Sequence, residues 1–179
     1  MASLTFIDVE TTGLSPKSHE IIEIGALEVD KDTLEPIGHL SLRIQPQRIH
    51  LAEPRALQIN GYTPEGWVDA IPLLEGLNKL APMVNNRTWV GHNPKFDRGF
   101  IEAAFWSCDR MPPVPMDYVD TKDLAKALQD AGVMRFASLS LANVALAFGL
   151  AQPSPHRAYD DAKLCWEIVR KVKAMRGAK

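Results

Sequence analysis

Residues 4–14, Leu-Thr-Phe-Ile-Asp-Val-Glu-Thr-Thr-Gly-Leu, set the strongest constraint on the fold, because two acids, Asp8 and Glu10, interrupt what otherwise reads as a buried β-strand. An ionised carboxylate in an apolar sheet is heavily penalised without a positive partner, and no Lys or Arg lies within the stretch. Alternation along a strand sends residues i and i+2 to one face, so Asp8 and Glu10 project side by side and repel. A bound cation resolves both problems. Thr11-Thr12-Gly13 then breaks the strand, which puts the acids at its C-terminal end, the edge where α/β sheets carry their sites.

The turn Ser15-Pro16-Lys17-Ser18 leads into a β-branched second strand, His19 to Val29, and Asp30 to Thr33 turns the chain into a third, about Ile37 to Ile44. Links this short imply an antiparallel meander. A loop to Glu53 and a helical piece at Pro54–Ile59 precede the turn Asn60-Gly61-Tyr62-Thr63-Pro64-Glu65, where Thr63 or a neighbour is expected to cap a helix from about Ile71 to Val84. A fourth strand at Thr88–Gly91, a helix from Lys95 to about Ser107 and a rigid link at Met111–Pro115 follow. A fifth strand at Met116–Val119, helices near Thr121–Ala131 and Ser138–Phe148, a break at Gln152-Pro153-Ser154-Pro155 and a last helix from Arg157 to about Met175 complete the pattern. It predicts an α/β domain built on a five-stranded mixed sheet, an antiparallel meander followed by parallel strands, flanked by helices.

Two further acids fall on apolar stripes. Asp97 is in register with Ile101, Ala104 and Phe105; Asp161 shares a face with Ala158, Ala162, Cys165, Val169 and Val172. Its neighbour Asp160 aligns instead with Lys163, Glu167 and Lys171, so it is expected to be solvated, pairing weakly with Lys163 or Arg157. His156 precedes Asp161 by five residues, a spacing that leaves the two about 140° apart on a regular helix. To share a site His156 must lie just outside the helix, where Pro153 and Pro155 favour a loop. A histidine there is a candidate for proton transfer.

Asp8, Glu10, Asp97 and Asp161 make an all-oxygen set that suits Mg²⁺ or Mn²⁺ and disfavours zinc. Four acids suggest two ions, the arrangement that clamps the attacking and leaving oxygens in phosphoryl transfer, with His156 as base. The expected reaction is phosphodiester hydrolysis. Composition narrows the partners: 20 basic against 22 acidic residues, a formal charge of -2, give no overall signature for long duplex DNA. At 179 residues and 46% hydrophobic the chain is expected to form a single domain over 1–179. It has no apolar run long enough for a membrane span and no basic region followed by an apolar one at its start, so a cytoplasmic location is expected. Cys108 and Cys165 read as buried thiols.

Asp8-Val-Glu-Thr-Thr-Gly-Leu14, Gly91-His-Asn-Pro-Lys-Phe-Asp97 and His156-Arg-Ala-Tyr-Asp-Asp161 resemble, in order, the three motifs of the DEDDh exonucleases, the DnaQ-like 3′ to 5′ exonuclease family. The resemblance implies an RNase H-like fold. It implies that Asp8 bridges two metals, Glu10 and Asp161 complete the first site, Asp97 holds the second and His156 is the general base. It also implies that Thr11, Thr12 and Gly13 offer backbone donors to a 3′-terminal nucleotide, that Leu14 packs on its base, and that Asn60, Tyr62, Asn93 and Phe96 line the substrate. Asn60-Gly61-Tyr62-Thr63 resembles the family's His-Gly-Ile-Thr segment, with Asn60 and Tyr62 as departures. Tyr62 either stacks a base, worth roughly 1–3 kcal/mol, or fills the gap below the turn. Lys95, Arg98 and Arg157 are placed to hold phosphates or to be solvated; Arg170, Lys171, Lys173, Arg176 and Lys179 give a basic end that reads mainly as solubility.

The expected activity is metal-dependent 3′–5′ hydrolysis at single-stranded 3′ ends, DNA favoured over RNA, releasing nucleoside 5′-monophosphates. The alternatives are a polymerase-associated proofreading subunit, an RNA-trimming exoribonuclease and a non-catalytic end-binding module. Because the chain ends soon after its last helix, a free-standing nuclease is expected, with a homodimer or a polymerase partner as options.

Overall fold

The structure, a computed structural model, describes residues 3–151 and 156–177. The predicted break at Gln152–Pro155 and Lys179 at the basic end lie outside the described residues. Strands β1 (Ser3–Thr11), β2 (Ile21–Asp30), β3 (Pro36–Arg43), β4 (Thr88–Gly91) and β5 (Asp117–Asp120) form one mixed sheet. Its order is β3-β2-β1-β4-β5. The first three strands pair antiparallel, and β4 and β5 run parallel to β1. This is the predicted sheet, and β1, the strand with the acids, lies at its centre.

Alternation along β1 divides the core. Ile7 and Val9 face helices α2 (Leu73–Val84) and α3 (Pro94–Ser107), packing with Leu77, Leu80, Phe100 and Ile101. Phe6 faces the other way, with Leu27 and Val90, against Ala162 and Cys165 of the last helix, Ala158–Gly177. Asp8 and Glu10 share that second face with Phe6. Between these elements run α1 (Pro54–Asn60), α4 (Thr121–Asp130) and α5 (Leu141–Ala147), so the last helix is α6.

Helix α6 is buried on two sides. Ala158, Asp161, Ala162 and Cys165 face inward as its stripe predicts. Leu164 and Ile168, which the single-stripe reading left out, pack with Val172 of that stripe against Ala125 of α4 and Val144 and Ala145 of α5.

Several ends differ from the sequence reading for local reasons. Ile71 is tied to β3, its amide donating to Arg43 O and its carbonyl accepting from Gln45 N, so α2 begins only after Pro72. Thr63 caps a short 3₁₀ turn, Glu65–Trp67, its Oγ1 accepting from Gly66 N, rather than α2. Helix α5 begins at Leu141 because Ser140 caps it, accepting from Asn143 N.

Candidate active site

The C-terminal half of β1 runs beyond the strand beside it. Strand β4 pairs with β1 only as far as Phe6 and Val90, which leaves the Val9 amide without a strand partner on that side. Asp97 supplies one. It sits in the first turn of α3, 3% exposed, and its Oδ1 accepts from Val9 N at 2.9 Å. A carboxylate from the opposite helical layer is thus held over the end of β1, between Asp8 and Glu10.

From the other layer, α6 brings Asp161 to the same place. The close approach depends on Gly25, paired with Asp8 across β1 and β2. A Cβ at Gly25 would lie 2.2 Å from Ala158 C and Tyr159 N, so only glycine lets the first turn of α6 rest on the sheet. His156 lies outside the helix, as its spacing requires, with a left-handed backbone (φ 62°). Its amide donates to Asp161 Oδ2 at 3.3 Å.

Asp8, Glu10, Asp97, His156 and Asp161 thereby line one open cleft of about 230 Å³, together with Val9, His92, Asn93, Phe96 and Leu141. Ligand atoms of Glu10, His156 and Asp161 lie within 4.8 Å of one another. Burial raises the Asp8 carboxyl well above its usual range, and the charges of Asp97, Glu10 and Asp161 raise it further. Burial and the neighbouring acids, Asp161 first, push Glu10 to about 8. Burial lifts Asp97 to about 7 against the lowering effect of the Val9 amide. Acids clustered at such a cost need positive charge, and an all-oxygen donor set with one adjacent imidazole fits a divalent cation.

Two features of this region were not read from the sequence. Glu23 on β2 stands opposite Glu10 and is 1% exposed. Its partner is Arg157, 3.2 Å away. The carboxylate that Arg157 meets is therefore Glu23, which the sequence reading had not paired with it. Arg98 is likewise paired, with Glu102. His92 lies between Thr121 Oγ1 (3.0 Å) and Leu139 O (2.9 Å), bracing the loop before α3, and burial lowers its pKa.

The turn after β1 is built from residues expected to meet substrate. Leu14 is 75% exposed. Thr11 Oγ1 donates to Gly13 O, and Thr12 is engaged twice with Glu20, amide to carbonyl and Oγ1 from amide, each at 2.9 Å. Gly13 lies against the His19 ring. Asn60, 3% exposed, donates from Nδ2 to Thr11 O at 3.0 Å and accepts from Tyr62 N. It supports the turn from below rather than presenting a side chain at the surface. Tyr62 packs on Trp67 with ring centres 5.0 Å apart. Asn93 takes a left-handed backbone (φ 68°) at the start of α3, and Phe96 packs on Phe100.

The exonuclease family named for ribonuclease T matches residues 5–169. The chain belongs to this DnaQ-like 3′–5′ exonuclease family. Over 166 residues this DnaQ-like chain is 34% identical to DNA polymerase III subunit epsilon of Treponema pallidum (strain Nichols), covering 93% of this chain and 74% of that protein. It is 28% identical to ribonuclease T of Pectobacterium atrosepticum, covering 96% and 83%. Its fold matches E. coli exonuclease I in complex with a dT13 oligonucleotide at a TM-score of 0.85 and 19% identity. The match covers 97% of this chain but 41% of exonuclease I, so the exonuclease domain described here is under half of that protein. The RNase H-like sheet and the enzyme class expected from the three motifs are both met. Among the described residues no helix is long and apolar enough to cross a membrane.

Proposed function

We propose that this chain hydrolyses phosphodiester bonds one at a time from the 3′ end of single-stranded nucleic acid, DNA in preference to RNA, releasing nucleoside 5′-monophosphates with the help of two Mg²⁺ or Mn²⁺ ions. The observation that carries the reading is the convergence of four acids and one histidine, from β1, α3 and the start of α6, on a single open cleft. Asp8, Glu10, Asp97 and Asp161 would hold the cations, whose charge offsets that of the scissile phosphate and its transition state. Leu14, exposed three residues beyond the end of β1, carries the terminal base. The braced Thr11–Leu14 turn fixes where that nucleotide ends.

Water attacks phosphorus from the side of His156, whose imidazole takes the water proton. The P–O3′ bond breaks, and the departing 3′-oxygen gains a proton from solvent. The strand, one nucleotide shorter, keeps a 3′-hydroxyl for the next cycle. DNA is favoured because exonuclease I, which shares the fold, is seen with oligo-dT, and because the epsilon subunit belongs to a DNA polymerase.

Incubating matched 5′-labelled DNA and RNA oligonucleotides with Mg²⁺, with and without chelator, tests this. A metal-dependent ladder shortening from the 3′ end is expected, faster on DNA; no ladder on either strand would sink the reading. Proofreading beside a polymerase is a second reading, favoured by the epsilon match. Activity that rises on mismatched primer ends when a replicative polymerase is added would support it.

A further inference from the structure

Glu23 extends the row of acids onto β2, where it directly faces Glu10. Facing like charges are destabilising, and Glu23 is too enclosed to be relieved by water. Arg157 meets it with a two-pronged contact: Nη2 lies 3.2 Å from Oε2, and Nε donates to Oε1 at 3.3 Å. Arg157 is fixed from other directions as well. Its carbonyl accepts the Asp161 amide at 3.0 Å. Its guanidinium lies 5.7 Å from the centre of the Trp67 ring. Trp67 is itself anchored to β2, its Nε1 donating to Ile22 O at 2.8 Å.

His156 immediately precedes this anchored residue. A left-handed backbone is uncommon for a residue with a side chain, histidine less so than most, and contacts around it help to hold it. Two described contacts hold this turn: the His156 amide donates to Asp161 Oδ2 at 3.3 Å, and the next residue, Arg157, is anchored to β2.

We propose that the Arg157–Glu23 pair is a positioning device for His156, clamping residue 157 to β2 so that the preceding backbone keeps its left-handed turn and the imidazole stays at the cleft. The proposal rests on the exonuclease reading, which gives His156 its proton-accepting role. Arg157 and Glu23 act through His156, not on the substrate. One hydrogen bond from Nε and one ion contact from Nη2 tie the guanidinium to both carboxylate oxygens, where a lysine ammonium would act as a point charge. Gly25, two residues along the same face of β2, lets the start of α6 come close enough for Arg157 to reach.

The experiment compares wild type with Glu23→Gln, Arg157→Lys, Arg157→Met and the double variant Glu23→Gln/Arg157→Met. The readouts are kcat and KM on a 5′-labelled oligonucleotide with Mg²⁺, the melting temperature, and hydrogen exchange of the 156–161 amides. Arg157→Met is expected to lower kcat by about 10- to 100-fold with KM within about 3-fold, and to speed exchange at His156. Arg157→Lys should recover part of kcat.

In the double variant no charge is left buried without a partner. Its melting temperature should return toward wild type while kcat stays low. Recovery of kcat together with stability would mean that Arg157 merely neutralises Glu23, and would overturn the proposal. Unchanged exchange at His156 would overturn it too. If Arg157→Met does not fold, Glu23→Gln decides, since it keeps the shape: a kcat fall at constant KM supports the clamp, and an unchanged kcat refutes it. An inactive wild type would count against the exonuclease reading alone, and the exchange comparison would still decide the clamp.

Discussion

Asp160 and Asp161 are chemically identical neighbours with different surroundings. Asp161 is 6% exposed and turned toward Glu10 and His156, whereas Asp160 lines a separate surface hollow with Tyr159. Loss of a group behind a metal ligand costs about 10- to 100-fold, and loss of a ligand costs more. Asp161→Asn should therefore lower kcat more than about 100-fold, and Asp160→Asn should leave it nearly unchanged, both measured on a labelled oligonucleotide. The acids also couple stability to pH. Glu10 and Asp97 are raised from 4.5 and 3.8 to about 8 and about 7, so the folded protein binds protons that the unfolded chain releases. Their contribution is fully present below the unfolded values and is lost as pH rises through the folded ones. In chelator, the melting temperature should fall between about pH 4 and about pH 8, and Mg²⁺ should restore it most at the alkaline end. Asp97→Asn should raise the metal-free melting temperature near the alkaline end while removing activity, as a thermal scan and a nuclease assay would show.

At the scale of elements, the contact between β2 and α6 carries the most consequence, since it delivers both Asp161 and His156. A methyl group at Gly25 has nowhere to go but into the backbone of Ala158 and Tyr159. Gly25→Ala should destabilise by about 1–3 kcal/mol in a denaturant titration, and its kcat should fall beyond what the loss of folded protein explains, because the start of α6 is displaced. The sequence carried the elements themselves well: the acids of β1, the inward stripe through Asp97 and the inward face of Asp161 all follow from periodicity within one strand or helix. What escaped it depended on partners far along the chain. Glu23 looks like an ordinary polar residue of a strand until Arg157 meets it across 134 residues. Asn60 looks like a turn residue until it reaches Thr11 O across 49. Gly25 carries no side-chain signal, and its role appears only when a helix is laid on it.

For the whole molecule, the balance of charge bears on how the strand is gripped. The formal charge is -2, and two of the basic residues beside the motifs carry carboxylate partners, Arg157 with Glu23 and Arg98 with Glu102. Arg43 lies over Trp67, 4.9 Å from the ring centre. With two of the three motif-adjacent basic residues paired and Lys95 exposed in the first turn of α3, KM should depend weakly on salt, with a log–log slope of about 1 to 2 between roughly 50 and 200 mM; a slope near that of a duplex-binding protein would contradict this. The topology has a further result, which concerns time rather than geometry. Asp8 lies on the first strand and Asp161 on the last helix, with the whole sheet laid down between them. Contacts so distant in sequence form late in folding, and a chain still being synthesised presents Asp8 and Glu10 long before His156 and Asp161 emerge. If the proposed site is the cutting centre, a nascent or half-folded copy has it incomplete, and the capacity to degrade nucleic acid arrives only with the docking of the final helix.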